Sequence, residues 1–90
     1  MHADLAFLGA SGVRADGAVL DTTVVEVPVK RALIAAADRA VLVADEHKFP
    51  GTGTLRVCRA EDLSVVVTND GADTETLAVF GDRGVEVVIA

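Results

Sequence analysis

The chain has no tryptophan or tyrosine, three phenylalanines, two prolines and a single cysteine in 90 residues. One cysteine, Cys58, excludes an internal disulfide and fits a reducing compartment. No apolar stretch approaches the roughly 18 residues of a membrane span. The opening residues Met1-His2-Ala3-Asp4 lack the basic and long apolar regions of a secretory signal. The expected location is therefore the cytoplasm, with no membrane partner. Positive charge is scarce: 8 Lys and Arg against 14 Asp and Glu leave a net charge of −6. The basic residues read as scattered, with no run to attract a nucleic-acid backbone, which argues against direct DNA binding by this chain. His2, His47 and Cys58 show no metal-ligand spacing, and neither a GxGxxG fingerprint nor a Walker A loop is present. No metal or cofactor is implied, and no internal repeat or linker is visible.

What is present is apolar: 51% of the residues are hydrophobic, enough to fill a core. A chain this short and this apolar is expected to oligomerise or to pack against further sequence. Four apolar runs punctuate it: Leu5–Leu8, Val41–Ala44, Leu63–Val67 and Val85–Ile89. Runs without polar alternation predict strands covered on both faces, as in parallel sheets. Between them lie segments of helical period. Val29, Ala32, Leu33, Ala36 and Ala37 share one apolar face, and the helix start falls between residues 23 and 28, where Thr23 and Glu26 have capping-box spacing and Pro28 suits a first turn. A second helix is predicted from an Asp73 cap, with Leu77 and Phe80 inward and a stop near Gly81 or Gly84. Gly12–Leu20 reads as a loop or small hairpin, and Leu55–Cys58 as a short edge strand. The fold class is α/β, a mostly parallel sheet with flanking helices.

Ligands of such sheets gather beyond the carboxyl ends of strands, which directs attention to three loops. Gly9-Ala10-Ser11-Gly12 can bring backbone N–H groups close to an anion, although four such residues read equally as a plain tight turn. In Asp45-Glu46-His47-Lys48-Phe49, an ammonium at a strand end can pair with a phosphate. Asp45 can hold that loop or accept from a sugar hydroxyl, while a plain Asp turn with a solvated lysine fits the same spacing. Phe49 is read as packing the loop onto the core. Thr68-Asn69-Asp70 is a weaker instance of the same arrangement. Cys58 reads as a small core residue, and a Ser11–His47–Asp45 relay lacks a nucleophile-elbow context.

Four stretches in this order resemble the DeoR family of transcription regulators. They are Asp4–Gly12, the helix around Glu26, Val29-Lys30-Arg31 and Leu33-Ile34, then Val41–Phe49, and Leu63–Thr68. The resemblance covers nearly the whole chain and points to the second half of the family's effector-sensing domain, residues 1–90 forming its C-terminal portion. It implies a fold related to ribose-5-phosphate isomerase and CoA transferases, and a phosphorylated sugar as effector. It further implies a homo-oligomer that meets DNA through a winged helix-turn-helix not contained in these 90 residues. Carried over, Gly9, Ala10 and Gly12 would offer backbone donors, with Ser11 between them. Asp45 and Lys48 would match the family's Asp-x-x-Lys, and Asp70 would be a further polar contact. Several departures stand out. The first half of the sensor, with its Asp-Gly-Ser/Thr-Thr-type loop, is absent, and Thr68-Asn69-Asp70 replaces the usual Thr-Asp. Where the isomerase carries acids, this chain has Ala10-Ser11-Gly12, so no obvious proton-transfer group remains. The expected function is effector sensing without catalytic residues. The alternatives are an isomerase-like enzyme fragment using Asp45 or Asp70 as base, and an assembly module.

Overall fold

The computed structural model describes residues 3–22 and 26–90. Along the chain these form β1 (Ala3–Leu8), β2 (Gly12–Val13), β3 (Val19–Asp21), α1 (Glu26–Ala36), β4 (Ala37–Val43), β5 (Leu55–Cys58), β6 (Val65–Thr68), α2 (Thr74–Asp82) and β7 (Glu86–Ile89). Single 3-10 turns lie at Glu46–Lys48 and Ala60–Asp62. The four apolar runs supply the four strands of a parallel sheet ordered β1-β4-β6-β7. Gly12–Asp21 folds back as a hairpin, and β5 pairs antiparallel with β3 to complete a second, three-stranded sheet.

The second helix follows its sequence signals. Asp73 accepts from the Thr76 N–H (3.0 Å) and from the Thr76 hydroxyl (2.7 Å), satisfying first-turn donors that have no partner inside a helix. Phe80 is fully buried and meets Phe49 edge to face, with ring centroids 6.3 Å apart. Leu77 packs against the same core, and the helix runs through Gly81 to Asp82 before Arg83 caps it. The core gathers Leu8, Val13, Leu42, Val57, Leu63, Val66 and Phe80 between the parallel sheet, the hairpin and the two helices.

Two expectations about coverage require correction. The second face of the parallel sheet is only partly covered by the described residues: Val41 and Val65 are buried on it, but its outer positions are open. Ala6 and Leu8 point into the core, but their neighbours Leu5 and Phe7 are 45% and 66% exposed, and Val43 and Val88 open to the same side. The apolar stripe of α1 also faces out, with Val29 57% exposed, and it lines an open groove with Ala32, Leu33 and Ala36. The face of α1 turned inward is Val27, Lys30, Arg31 and Ile34, which has the same i, i+3, i+4, i+7 spacing on the opposite side of the helix. Lys30 and Arg31 dock there by hydrogen bonding, Arg31 donating to the carbonyls of Arg56 and Val57 on β5. Ala37, placed on the helix by periodicity, is the first residue of β4. The helix begins at Glu26 with Pro28 in its first turn, and Thr23 of the expected capping box lies outside the described residues.

No helix among the described residues is long and apolar enough to cross a membrane.

Candidate functional site

Because β1, β4 and β6 are parallel neighbours, the loops that leave them emerge at one edge of the sheet. These are the three loops singled out above, around Gly9–Gly12, Asp45–Lys48 and Thr68–Asp70. They are tied to one another by specific bonds.

The middle loop is a 3-10 turn. The Asp45 carboxylate accepts from the His47 N–H (2.9 Å), and Lys48 and Phe49 donate their N–H groups to Asp45 and Glu46 carbonyls (both 3.1 Å). Phe49, 3% exposed, anchors the turn in the core. Asn69 clasps the turn from the third loop: its Oδ1 accepts from the Glu46 N–H (2.8 Å), and its Nδ2 donates to Glu46 Oε1 (3.3 Å). Gly71 allows that close approach. Its φ of +103° is one that other residues avoid, and a Cβ there would overlap the Glu46 carboxylate. The Phe49 carbonyl then accepts from the Asp73 N–H (3.0 Å), which fixes the start of α2 to the same turn.

The first loop is held from the other side. Asp21, buried at the end of β3, accepts from the Ser11 hydroxyl (3.1 Å) and the Thr22 N–H (2.8 Å), and pairs with the Lys30 ammonium. Lys30 also donates to the Gly9 carbonyl (2.9 Å). In a trans peptide the C=O and the following N–H point in opposite directions. Drawing the Gly9 carbonyl toward Lys30 therefore turns the Ala10 N–H away from it. Gly12 fits its backbone against Gly51 and Thr52, where a Cβ would overlap main-chain atoms. The Gly51 N–H donates to the Val13 carbonyl (2.9 Å), so the first two loops are joined.

The sequence-predicted residues thus divide into two groups. Ser11 has both its N–H and its hydroxyl bonded within the chain, the former to the Leu20 carbonyl (3.0 Å), and Gly12 lies in β2 as a packing contact. Asp45 holds its own turn. Outside the strand ladders, and among the described residues, the N–H groups of Gly9 and Ala10 have no protein acceptor, and the Lys48 ammonium has no carboxylate partner. The exposed Asp70 carboxylate is likewise open among those residues. The Thr68 hydroxyl, buried at the end of β6, has no hydrogen-bond partner among them. Two neighbouring N–H donors and an unpaired ammonium on joined loops are the groups an oxyanion recruits.

A Ser11–His47–Asp45 relay does not form, because the Ser11 hydroxyl bonds Asp21 and Thr22, and Asp45 bonds the His47 backbone. Cys58 is a core residue whose thiol burial pushes up to about 12, with the Asp62 carboxylate adding to the effect. Sequence reasoning missed the roles of Asp21 and Lys30, and had Asn69 only as a turn residue of the third loop. The available signal for the first two was an acid closing the apolar run Ala18-Val19-Leu20, followed nine residues later by a cation on a helix. Among the described residues no three His, Cys, Asp or Glu side chains group as metal ligands.

A parallel α/β layer with joined loops at one strand edge is the class of fold that receives small ligands there. Residues 1–70 match the DeoR C terminal sensor domain family, and the chain belongs to it. It is 39% identical over 67 residues, or 74% of its length, to the glycerol-3-phosphate regulon repressor of Haemophilus influenzae, covering 26% of that protein. It is 28% identical over all 90 residues to the HTH-type transcriptional regulator GolR of Listeria innocua, covering 35% of it. Over 74 residues it is 32% identical to the transcriptional repressor AccR of Agrobacterium fabrum, covering 81% of this chain and 29% of AccR. The chain spans about a quarter to a third of the length of these relatives.

Proposed function

We propose that this chain is the C-terminal portion of the effector-sensing domain of a DeoR-type transcriptional repressor, and that it takes a phosphorylated sugar or a closely related phosphorylated metabolite. The observation that carries the reading is the open set of donors at the strand edge: the Gly9 and Ala10 N–H groups and the unpaired Lys48 ammonium, on loops joined through Gly12 and Gly51. Lys48 pairs with the phosphate as a point charge, and the two N–H groups hydrogen-bond its oxygens. Asp45, Ser11 and Gly12 hold the loops in shape, and Asp70 accepts from a hydroxyl of the carbon chain. The regulator relatives support a sensor over an enzyme, as does the use of Asp45 as a turn cap. Residues supplied elsewhere in the intact protein complete the pocket and provide the winged helix-turn-helix that meets DNA. The protein works in the cytoplasm as a homo-oligomer, a reading supported by the apolar stripe of α1 and the exposed Leu5, Phe7 and Val43 of the sheet, since solvent-exposed apolar patches of this kind mark interaction surfaces. Effector binding changes repression only if the ligand prefers one of two conformations or assemblies.

The test is a thermal-stability titration of the intact protein against a panel of sugar phosphates, with glycerol 3-phosphate included because one relative is named for that regulon. A ligand that binds the folded state raises the midpoint by mass action. A saturable rise with one phosphorylated compound but not with its dephosphorylated form, diminished in Lys48→Ala, is the expected outcome. A folded protein that responds to no compound, or equally to the dephosphorylated one, refutes the phosphate reading.

A further inference from the structure

The sequence scatters its positive charge, but the fold gathers half of it. Arg14, Arg56, Arg59 and Arg83 line a single cleft of about 240 Å³, together with the acids Asp16 and Glu61. In a chain of net charge −6 with only eight Lys and Arg, four arginines against two acids make this cleft a local reversal of sign. Its position is also distinct. Arg83 caps the carboxyl end of α2, and Arg59 and Glu61 lie just before β6 begins, so the cleft opens at the amino edge of the parallel sheet. The effector loops lie at the opposite edge.

We infer that this cleft is a second anion site, built for a small phosphate-bearing dianion. Two of its arginines are held in place. Asp16 takes Arg14 in a two-point fork, Nε to Oδ1 at 3.0 Å and Nη2 to Oδ2 at 2.9 Å, and Glu61 accepts from Arg83 Nη1 at 2.9 Å. The Arg14 hydrogen bond holds the Asp16 carboxyl down at about 2, so this acid is charged at neutral pH. The guanidinium groups of Arg56 and Arg59 make no ion pair or hydrogen bond with a carboxylate among the described residues, although the Arg59 charge acts on Glu61. A planar guanidinium offers paired N–H donors whose spacing matches two phosphate oxygens, and guanidinium sheds water more readily than ammonium does. With both acids charged, the four arginines leave a net of two positive charges in the cleft, which a phosphate monoester or pyrophosphate neutralises. The concave shape and small volume fit a small molecule, and the acidic surface beyond it disfavours an extended nucleic-acid backbone.

The test uses the intact protein with inorganic phosphate and pyrophosphate as probes. Binding is followed by calorimetry at fixed ionic strength, and by NMR of the arginine Nε–Hε groups. Pyrophosphate is expected to shift the Arg56 and Arg59 side-chain signals saturably while the Gly9 and Ala10 amides stay in place. The Arg56→Gln/Arg59→Gln double variant is expected to lose affinity at least tenfold with an unchanged thermal midpoint in the absence of ligand. The opposite pair of changes, Asp16→Asn/Glu61→Gln, frees Arg14 and Arg83 and is expected to tighten binding, a gain that damaged folding cannot mimic. Equal shifts with sodium chloride at matched ionic strength, or unchanged affinity in the double variant, overturn the inference. So does a DNA duplex that displaces pyrophosphate at physiological salt, which would make this a nucleic-acid face. Movement at Gly9 and Ala10 alone would assign the pyrophosphate to the effector edge and leave the cleft without a ligand, so the two readings fail separately.

Discussion

Replacing Lys30 with methionine removes the cation from a carboxylate that has little access to water. The Asp21 side chain is 3% exposed and the Lys30 side chain 17%. Removing one partner of a buried pair costs about 3–5 kcal/mol, because the remaining charge has lost its counter-ion in a place with little water. Asp21 keeps its bonds from Ser11 and Thr22, which places Lys30→Met toward the lower end, at about 3 kcal/mol. The reverse change is milder. Asp21→Asn retains an oxygen for those two donors, and the stranded ammonium still donates to the Gly9 carbonyl and reaches solvent, so about 1–2 kcal/mol is expected. With both changes made, neither charge is stranded, and the double variant should cost less than the sum of the singles by about 1–2 kcal/mol. Urea unfolding at neutral pH measures all three, with an unchanged m-value as the check that the transition remains comparable. Since Lys30 orients the Gly9 carbonyl, Lys30→Met should also weaken effector binding without touching the ligand. A Lys30→Met variant within 0.5 kcal/mol of the parent, or one no worse than Asp21→Asn, would refute the view that this pair is the strut of the first loop.

Gly12→Ala forces a methyl group into the Gly51–Thr52 backbone, and a loss of about 1–3 kcal/mol in urea unfolding is expected, with a weaker effector response because the loops separate. Asp73→Ala removes the α2 cap and leaves the buried Thr76 hydroxyl without its acceptor, for a combined cost of about 2 kcal/mol, whereas Asp73→Asn should recover part of it. The Cys58 thiol is raised to about 12 in the folded state from an ordinary value of 9.0. Between those two values the unfolded chain has lost a proton the folded chain keeps, so stability falls as pH rises through that window. Denaturant midpoints taken from pH 8 to pH 11 should decline more steeply for the parent than for Cys58→Ala. Consistently, iodoacetamide at pH 8 should modify Cys58 only under denaturing conditions.

Much of the architecture was legible because it rests on local patterns. Unalternating runs such as Val41-Leu42-Val43 marked the parallel strands, and Asp73 with Phe80 marked the second helix and its inward face. The carboxyl-edge loops followed from that order, since parallel neighbours must release their loops on one side. Helix α1 was harder, because two stripes of identical spacing lie on opposite sides of it. Choosing the inward one by hydropathy selected Val29, Leu33 and Ala36, but the acceptors that draw Lys30 and Arg31 inward come from Gly9, Asp21 and β5. No local pattern reports a carbonyl twenty-five residues away. The arginine cleft was hidden for the same reason: Arg14, Arg56, Arg59 and Arg83 meet only after the hairpin folds onto β5 and α2 returns to the amino edge. At the candidate site, residue types at Asp45 and Lys48 were visible in advance, whereas the free N–H groups of Gly9 and Ala10 depend on which neighbouring donors the fold has already used.

Binding of a phosphorylated effector by the joined loops at the carboxyl edge, through Lys48 and the Gly9–Ala10 amides, is the proposal on which the sensor reading stands. Its most direct measurement is a backbone NMR titration of the intact protein with the sugar phosphate that gives the largest thermal shift. Saturable changes concentrated at Gly9, Ala10 and residues 45–48 are expected, with reduced affinity in Lys48→Ala and no comparable change with the dephosphorylated compound. Saturable binding that leaves those residues unmoved, or that survives Lys48→Ala at full affinity, would contradict it.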